Sequence, residues 1–139
     1  MIKNFFTTLI FLIIILGIII FVISRFSYVD LPFCYVAIEG DVLNGNKQTI
    51  FQAIKSIKST DKAVYKDFCH YVNRIREDYC FISSVDYSVL NASGCYLKGA
   101  KTIYLKPVKE SSGASIAERT NAIEKYTSYS KLFWQSIEK

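Results

Sequence analysis

The chain has 139 residues, a formal net charge of +5 and a 51% apolar content that is spread unevenly. Residues 5–23 form one uncharged hydrophobic run, and the 114 residues from Phe26 onward have ordinary globular composition. That length allows one compact unit with a single core and excludes a multidomain enzyme with an interdomain cleft. All 12 acidic residues follow Phe26, and setting Lys3 and Arg25 aside reduces the charge of that part to about +3, too mild for a nucleic-acid partner.

The run FFTTLIFLIIILGIIIFVI, residues 5–23, would rise roughly 28 Å as a helix, close to the hydrocarbon thickness of a bilayer. It is read as a membrane span within an anchor over residues 1–25. A cleaved signal peptide is the competing reading, but the run exceeds a usual signal core and no small-x-small pair follows it. Lys3 and the amino terminus precede the run, and all four cysteines, Cys34, Cys69, Cys80 and Cys95, follow it. Both features predict a cytoplasmic amino terminus and an extracytoplasmic domain over residues 34–139. Residues 26–33 read as a linker, extended by Pro32.

The domain reads as α+β, about three helices on a short antiparallel sheet or hairpin. Cys34–Ile38 is rich in β-formers. Ile50, Phe51, Ile54 and Ile57 recur at helical spacing and predict a helix over 47–58 capped by Asn46. Ser59-Thr60-Asp61 restarts the chain, and Val64, Phe68, Tyr71, Val72 and Ile75 predict a second helix to about Glu77. A short strand follows at Cys80–Ile82, then a polar loop over 83–94 carrying the glycosylation-type tripeptide Asn91-Ala92-Ser93. Cys95 to Leu105 reads as a hairpin with Gly99-Ala100 as its two central turn residues. Ser115 and Glu118 form a capping-box pattern ahead of a long helix whose inner face is Ile116, Thr120, Ile123, Tyr126, Ser130, Phe133 and Ile137.

Four cysteines allow three pairings. Cys80 and Cys95 each open a predicted strand 15 positions apart, which ranks their pairing first and leaves Cys34 for Cys69. A four-cysteine zinc site is the weaker alternative, because no C-x-x-C pair occurs. His70 is the single histidine and sits beside Cys69 on a predicted helix, where adjacent side chains point about 100° apart and cannot form a dyad. The glycines form no phosphate-cradling pattern, and the acid pairs Glu77-Asp78 and Glu118 with Glu124 read as solvated surface charges. No catalytic residue, metal site or cofactor is therefore expected. Tyr96, Lys98, Lys101, Tyr104 and Lys106 interleave aromatic and cationic side chains around the hairpin, a candidate binding face for an anionic protein or envelope component. The alternative for the same lysines is protection of a sheet edge.

Two resemblances accompany this reading. Residues 47–127 resemble the zincin metallopeptidase core, with Lys101–Leu105 as the strand at the site edge and Ile123-Glu124-Lys125-Tyr126-Thr127 where H-E-x-x-H would stand. Glu124 matches and both histidines are replaced, so the resemblance implies a zinc-free descendant that kept the scaffold. Phe6-Thr7-Thr8-Leu9-Ile10-Phe11-Leu12 resembles the processed amino-terminal helix of type IV pilins, although Phe5 and Ile10 stand where that family has Gly and Glu. That likeness implies a pilin-like assembly subunit. The leading expectation is a non-enzymatic, membrane-anchored binding protein, with a zinc-free pseudo-peptidase or small envelope hydrolase as the alternative.

Overall fold

The computed structural model describes residues 2–30, 33–80, 93–97 and 99–138, with the side chains of 2–6 and 22–26 left aside. In chain order the elements are α1 (Ile2–Arg25), β1 (Phe26–Tyr28), β2 (Ala37–Glu39), α2 (Lys47–Thr60), α3 (Lys62–Tyr71), β3 (Arg74–Glu77), β4 (Gly94–Tyr96), β5 (Thr102–Leu105) and α4 (Gly113–Ile137). The α+β class holds. The sheet, however, has five strands in the order β1-β2-β3-β5-β4, with β2, β3 and β5 parallel and antiparallel strands at each edge, instead of a short antiparallel sheet. Parallel neighbours require a crossover, and α2 with α3 supplies it between β2 and β3.

Among the described residues no helix is long and apolar enough to cross a membrane, against the expected span over residues 5–23 and the single-pass placement drawn from it. The described side chains of α1 run from Thr7 to Phe21. All of them are exposed. The expected orientation of the domain relative to a membrane loses its basis with the span. The expected linker is also corrected in part, because its first three residues form β1, which pairs antiparallel with β2.

Strand alternation sends Ile38, Ile75 and Ile103, aligned across β2, β3 and β5, to one face of the sheet, where they are fully buried. Helices α2, α3 and α4 pack on one another and complete this core with Ile50, Ile54, Ile57, Phe68 and Ile123. Asn46 caps α2 as expected, its side chain accepting the Gln48 amide at 3.0 Å. Asp61 ends α2 and begins α3. Its carboxylate accepts the amides of Ala63 and Val64 at 2.9 and 3.0 Å, while its own N–H bonds back to the Ile57 carbonyl. Asp61→Ala is expected to cost about 1 kcal/mol, read as a lower urea midpoint with an unchanged slope.

The second predicted helix stops at Tyr71 instead of Glu77. Val72, at φ −120° and ψ 130°, leaves the helix, and Arg74–Glu77 continue as β3 with Ile75 and Glu77 inward. The strand expected at Cys34–Ile38 begins three residues later, at Ala37. Cys80 follows β3 outside any strand, while residues 81 and 82 of the other predicted strand and most of the 83–94 loop, Asn91 and Ala92 included, lie outside the described residues. The capping box of α4 is Ser112 with Ser115, three positions before the predicted one. The Ser115 N–H donates to Ser112 Oγ at 3.1 Å and the Ser112 N–H to Ser115 Oγ at 2.9 Å. Serine at the third helical position closes the same reciprocal pair that a glutamate does.

The hairpin forms, with Cys95 opposite Tyr104 and Tyr96 opposite Ile103. Its turn is displaced by one residue. The Ala100 N–H bonds to the Leu97 carbonyl at 3.0 Å, so Gly99 is the third turn residue, and its φ of +87° is open to glycine without steric cost. Both disulfides join the pairs ranked first from the sequence. Cys34–Cys69 ties the approach to β2 onto α3, with Cα atoms 5.0 Å apart. Cys80–Cys95 ties the exit of β3 to β4, with Cα atoms 6.1 Å apart.

Candidate functional site

The outward face of the sheet carries a polar row. Glu39, Arg76, Tyr104 and Cys95 are cross-strand neighbours in sequence along β2, β3, β5 and β4. Arg76 Nε lies 3.3 Å from the Asp78 carboxylate and 3.9 Å from that of Glu39. Beyond this row, Arg76, Tyr104, Tyr96, Leu97 and the Cys80–Cys95 disulfide line a cavity of about 230 Å³. On the other side of edge strand β4, Tyr96 also lines a second hollow of about 410 Å³ with Tyr129, Leu132, Phe133 and Ser136 of α4. Tyr96 therefore lines both hollows, and its hydroxyl is buried with no hydrogen-bond partner among the described residues.

Helix α4 is held to this edge by the Tyr126 hydroxyl, which donates to the Gly94 carbonyl at 2.5 Å. Lys101 Nζ sits 4.9 Å from the centre of the Trp134 ring, and Lys125 Nζ sits 5.6 and 5.9 Å from the Tyr126 and Tyr129 rings. The two lysines thus flank the aromatic end of α4, each placed over a ring.

The five residues expected to share a face are placed as follows. Tyr104 lies on the outward face of the sheet, Tyr96 points from the opposite face at the edge, and the two meet at the smaller cavity. Lys101 stacks on Trp134, and Lys106 is exposed just past β5, where its backbone N–H bonds to the Ser93 carbonyl at 3.0 Å. Lys98 lies outside the described residues. From α4, Leu132 and Phe133 also line the larger hollow and are not part of the face expected from the sequence; Leu132 carries a signal as an exposed apolar residue off the helix face read as inner.

A second constellation is fully internal. Glu77 and Arg119 form an ion pair at 2.5 Å, with side chains 0% and 3% exposed. The Glu77 carboxylate also accepts the backbone N–H groups of Asn46 and Asp41 at 3.0 and 3.1 Å, and Arg119 Nη2 donates to the Lys106 carbonyl at 3.2 Å. A Cβ at Gly45 would overlap the Glu77 carboxylate, so glycine is required for this close approach. The pair pins the 41–46 turn, which precedes α2, to β3 and α4. Its role is architectural.

At the opposite end of the sheet, Asp30 adopts φ +45° and accepts from Lys58 Nζ and the Tyr65 hydroxyl. Those hydrogen bonds, Lys58 first, hold the Asp30 carboxyl below its ordinary range and raise Lys58. Burial raises Tyr65, with the bond to Asp30 adding to it. His70 is exposed on α3, edge-on to Tyr71. Where the zincin motif would stand, Ile123 and Thr127 are buried and Glu124 is partly exposed. Among the described residues no group of three or more His, Cys, Asp or Glu is arranged to hold a metal ion.

No family model, curated protein or solved structure matches this chain.

Proposed function

We propose that this chain is a non-enzymatic binding domain of an oxidising compartment, and that it engages a protein or envelope component through the β4 edge. The observation that carries the reading is Tyr96, which lines both hollows and whose buried hydroxyl has no hydrogen-bond partner among the described residues. Buried polar groups are ordinarily satisfied, and an unsatisfied one on a residue lining two hollows fits a group that a partner completes. Aromatic rings beside Lys101 and Lys125 have the composition of interface centres, where tyrosine and tryptophan supply area and a polar handle. Both cysteine pairs are closed, which supports a compartment where disulfides persist.

The test is photo-crosslinking in the native host, with a photoreactive residue at Tyr104 in one variant and at exposed Glu118, near the start of α4, in another. A discrete adduct from position 104 and none from 118 is expected. Equal labelling from both positions, or none from 104, overturns the reading.

A further inference from the structure

We propose that the 41–46 turn is a lipid-contact site, at which Val42 and Leu43 enter the headgroup boundary of an anionic bilayer while the lysines around them meet its phosphates. This surface is distinct from the β4 edge and goes beyond the binding reading above. Val42 and Leu43 are 88% and 80% exposed. Their turn is nevertheless tightly held. The Asp41 carboxylate accepts the N–H groups of Leu43 and Asn44 at 2.8 and 3.0 Å, and the Gly45 N–H bonds to the Asp41 carbonyl at 3.0 Å. Buried Glu77 secures both ends of the turn through the amides of Asp41 and Asn46. Folding the apolar pair back onto the core would break these bonds, so its exposure is built into the fold, and little ordering remains to be done on docking.

Three lysines surround the pair. Lys47 opens α2 with its side chain lying against Gly40, and Lys106 and Lys109 are exposed on the connection from β5 to α4. The bond from Asn46 Nδ2 to the Lys109 carbonyl, at 3.1 Å, ties that connection to the turn. Glu110 is the single acid within residues 106–112. The carboxylate of Asp41 is engaged by the turn itself. Its hydrogen bonds from Asn44 and Leu43, with Lys109 nearby, hold it below its ordinary range. Apolar side chains ringed by lysines are what an anionic lipid interface attracts.

The end of the domain from which α1 departs favours a lipid surface over a protein pocket. Helix α1 runs directly into β1, where Phe26 lies opposite Glu39, the last residue of β2 before the turn. The large apolar side chains from Leu9 to Phe21 are 42–66% exposed. Two apolar elements at one end of the sheet suit an extended surface, whereas a pocket would take one of them. The contact is interfacial and asks no element to cross the bilayer.

All four cysteines are in disulfides, so an introduced cysteine is the single thiol for an environment-sensitive fluorophore. Leu43→Cys places it on the turn, and Thr60→Cys places it at the exposed far end of α2, about 20 Å along the helix. Both positions are exposed, and circular dichroism verifies that each labelled variant keeps its fold. The labelled full-length oxidised protein is titrated with vesicles of phosphatidylcholine and phosphatidylglycerol, and with vesicles of phosphatidylcholine alone. The anionic vesicles are expected to shift the emission to the blue at position 43 and not at 60, and to bind at least about tenfold more tightly than the neutral ones. Lys109→Glu is expected to reduce that preference at least about fivefold.

No shift at position 43 overturns the proposal. Equal shifts at both positions overturn it too, because they mean that α1 carries the domain to the vesicle without seating the turn. Equal affinity for the two vesicles overturns the assignment to anionic lipid. A shift at position 43 that grows with protein concentration in the absence of vesicles assigns the turn to a second copy of this chain and overturns it as well.

Discussion

Glu77→Ala is expected to lower the unfolding free energy by about 3–5 kcal/mol, because it leaves the Arg119 guanidinium buried without its counter-charge. Arg119 has little alternative compensation. Its Nη2 retains the Lys106 carbonyl, but Nε and Nη1 are already buried without partners among the described residues. Urea unfolding of the oxidised protein measures the loss. The double variant Glu77→Met with Arg119→Met removes the isolated charge and should recover part of it, since an apolar pair of similar volume often replaces a buried ion pair without loss. Recovery should be incomplete. The amides of Asp41 and Asn46 lose their acceptor in either variant, at about 1–3 kcal/mol for each one left buried and unsatisfied. A Glu77→Ala protein within about 1 kcal/mol of the parent would show that the pair does not hold the 41–46 turn in place.

The same pair explains which parts of the fold were legible in the amino-acid pattern. Helix α2 was read to within two residues because Ile50, Ile54 and Ile57 repeat at one period and Asn46 and Asp61 punctuate it. Helix α3 was overrun. Tyr71, Val72 and Ile75 fit a helical stripe, and the strand signal in Arg74-Ile75-Arg76-Glu77 is masked by a glutamate at an inward position. Helix α4 was located, but its inner face was rotated for the complementary reason. The buried positions include Ser115, Arg119, Ala122 and Thr127, and an arginine in mid-helix reads as solvated until its partner is known. Two charged residues that neutralise each other across 42 positions leave no local trace.

The site was half legible for a related reason. Tyr96 and Tyr104 stood out because they interleave with lysines on a recognisable hairpin, and the structure brings both to one cavity. That Tyr96 faces a second hollow depends on how α4 crosses the sheet edge, a tertiary relation that no local period encodes. The parallel pairing of β2, β3 and β5 was hidden likewise. Three- and four-residue strands give too short an alternation to reveal register, and the order of strands is fixed by the helices packed on them.

The two disulfides are expected to open in a fixed order, and opening both should unfold the domain. On the loop-closure model, the link spanning 35 positions between Cys34 and Cys69 contributes about 4 kcal/mol, and that spanning 15 between Cys80 and Cys95 about 3 kcal/mol. Together they match much of the about 5–15 kcal/mol that stabilises a typical domain, so the reduced chain lies near its unfolding threshold. Access does not rank them, because each pair has one buried cysteine, Cys34 or Cys80, and one half-buried cysteine, Cys69 or Cys95, beside an open hollow. The order follows from the smaller contribution of the Cys80–Cys95 link. Graded reduction followed by alkylation and peptide mass spectrometry should label Cys80 and Cys95 first, while far-ultraviolet circular dichroism stays near that of the oxidised protein. Label should reach Cys34 and Cys69 as the helical signal is lost, because their link ties α3 to the approach to β2. Labelling of all four cysteines together, or of Cys34 and Cys69 first, would mean that the longer link is not the more strongly held.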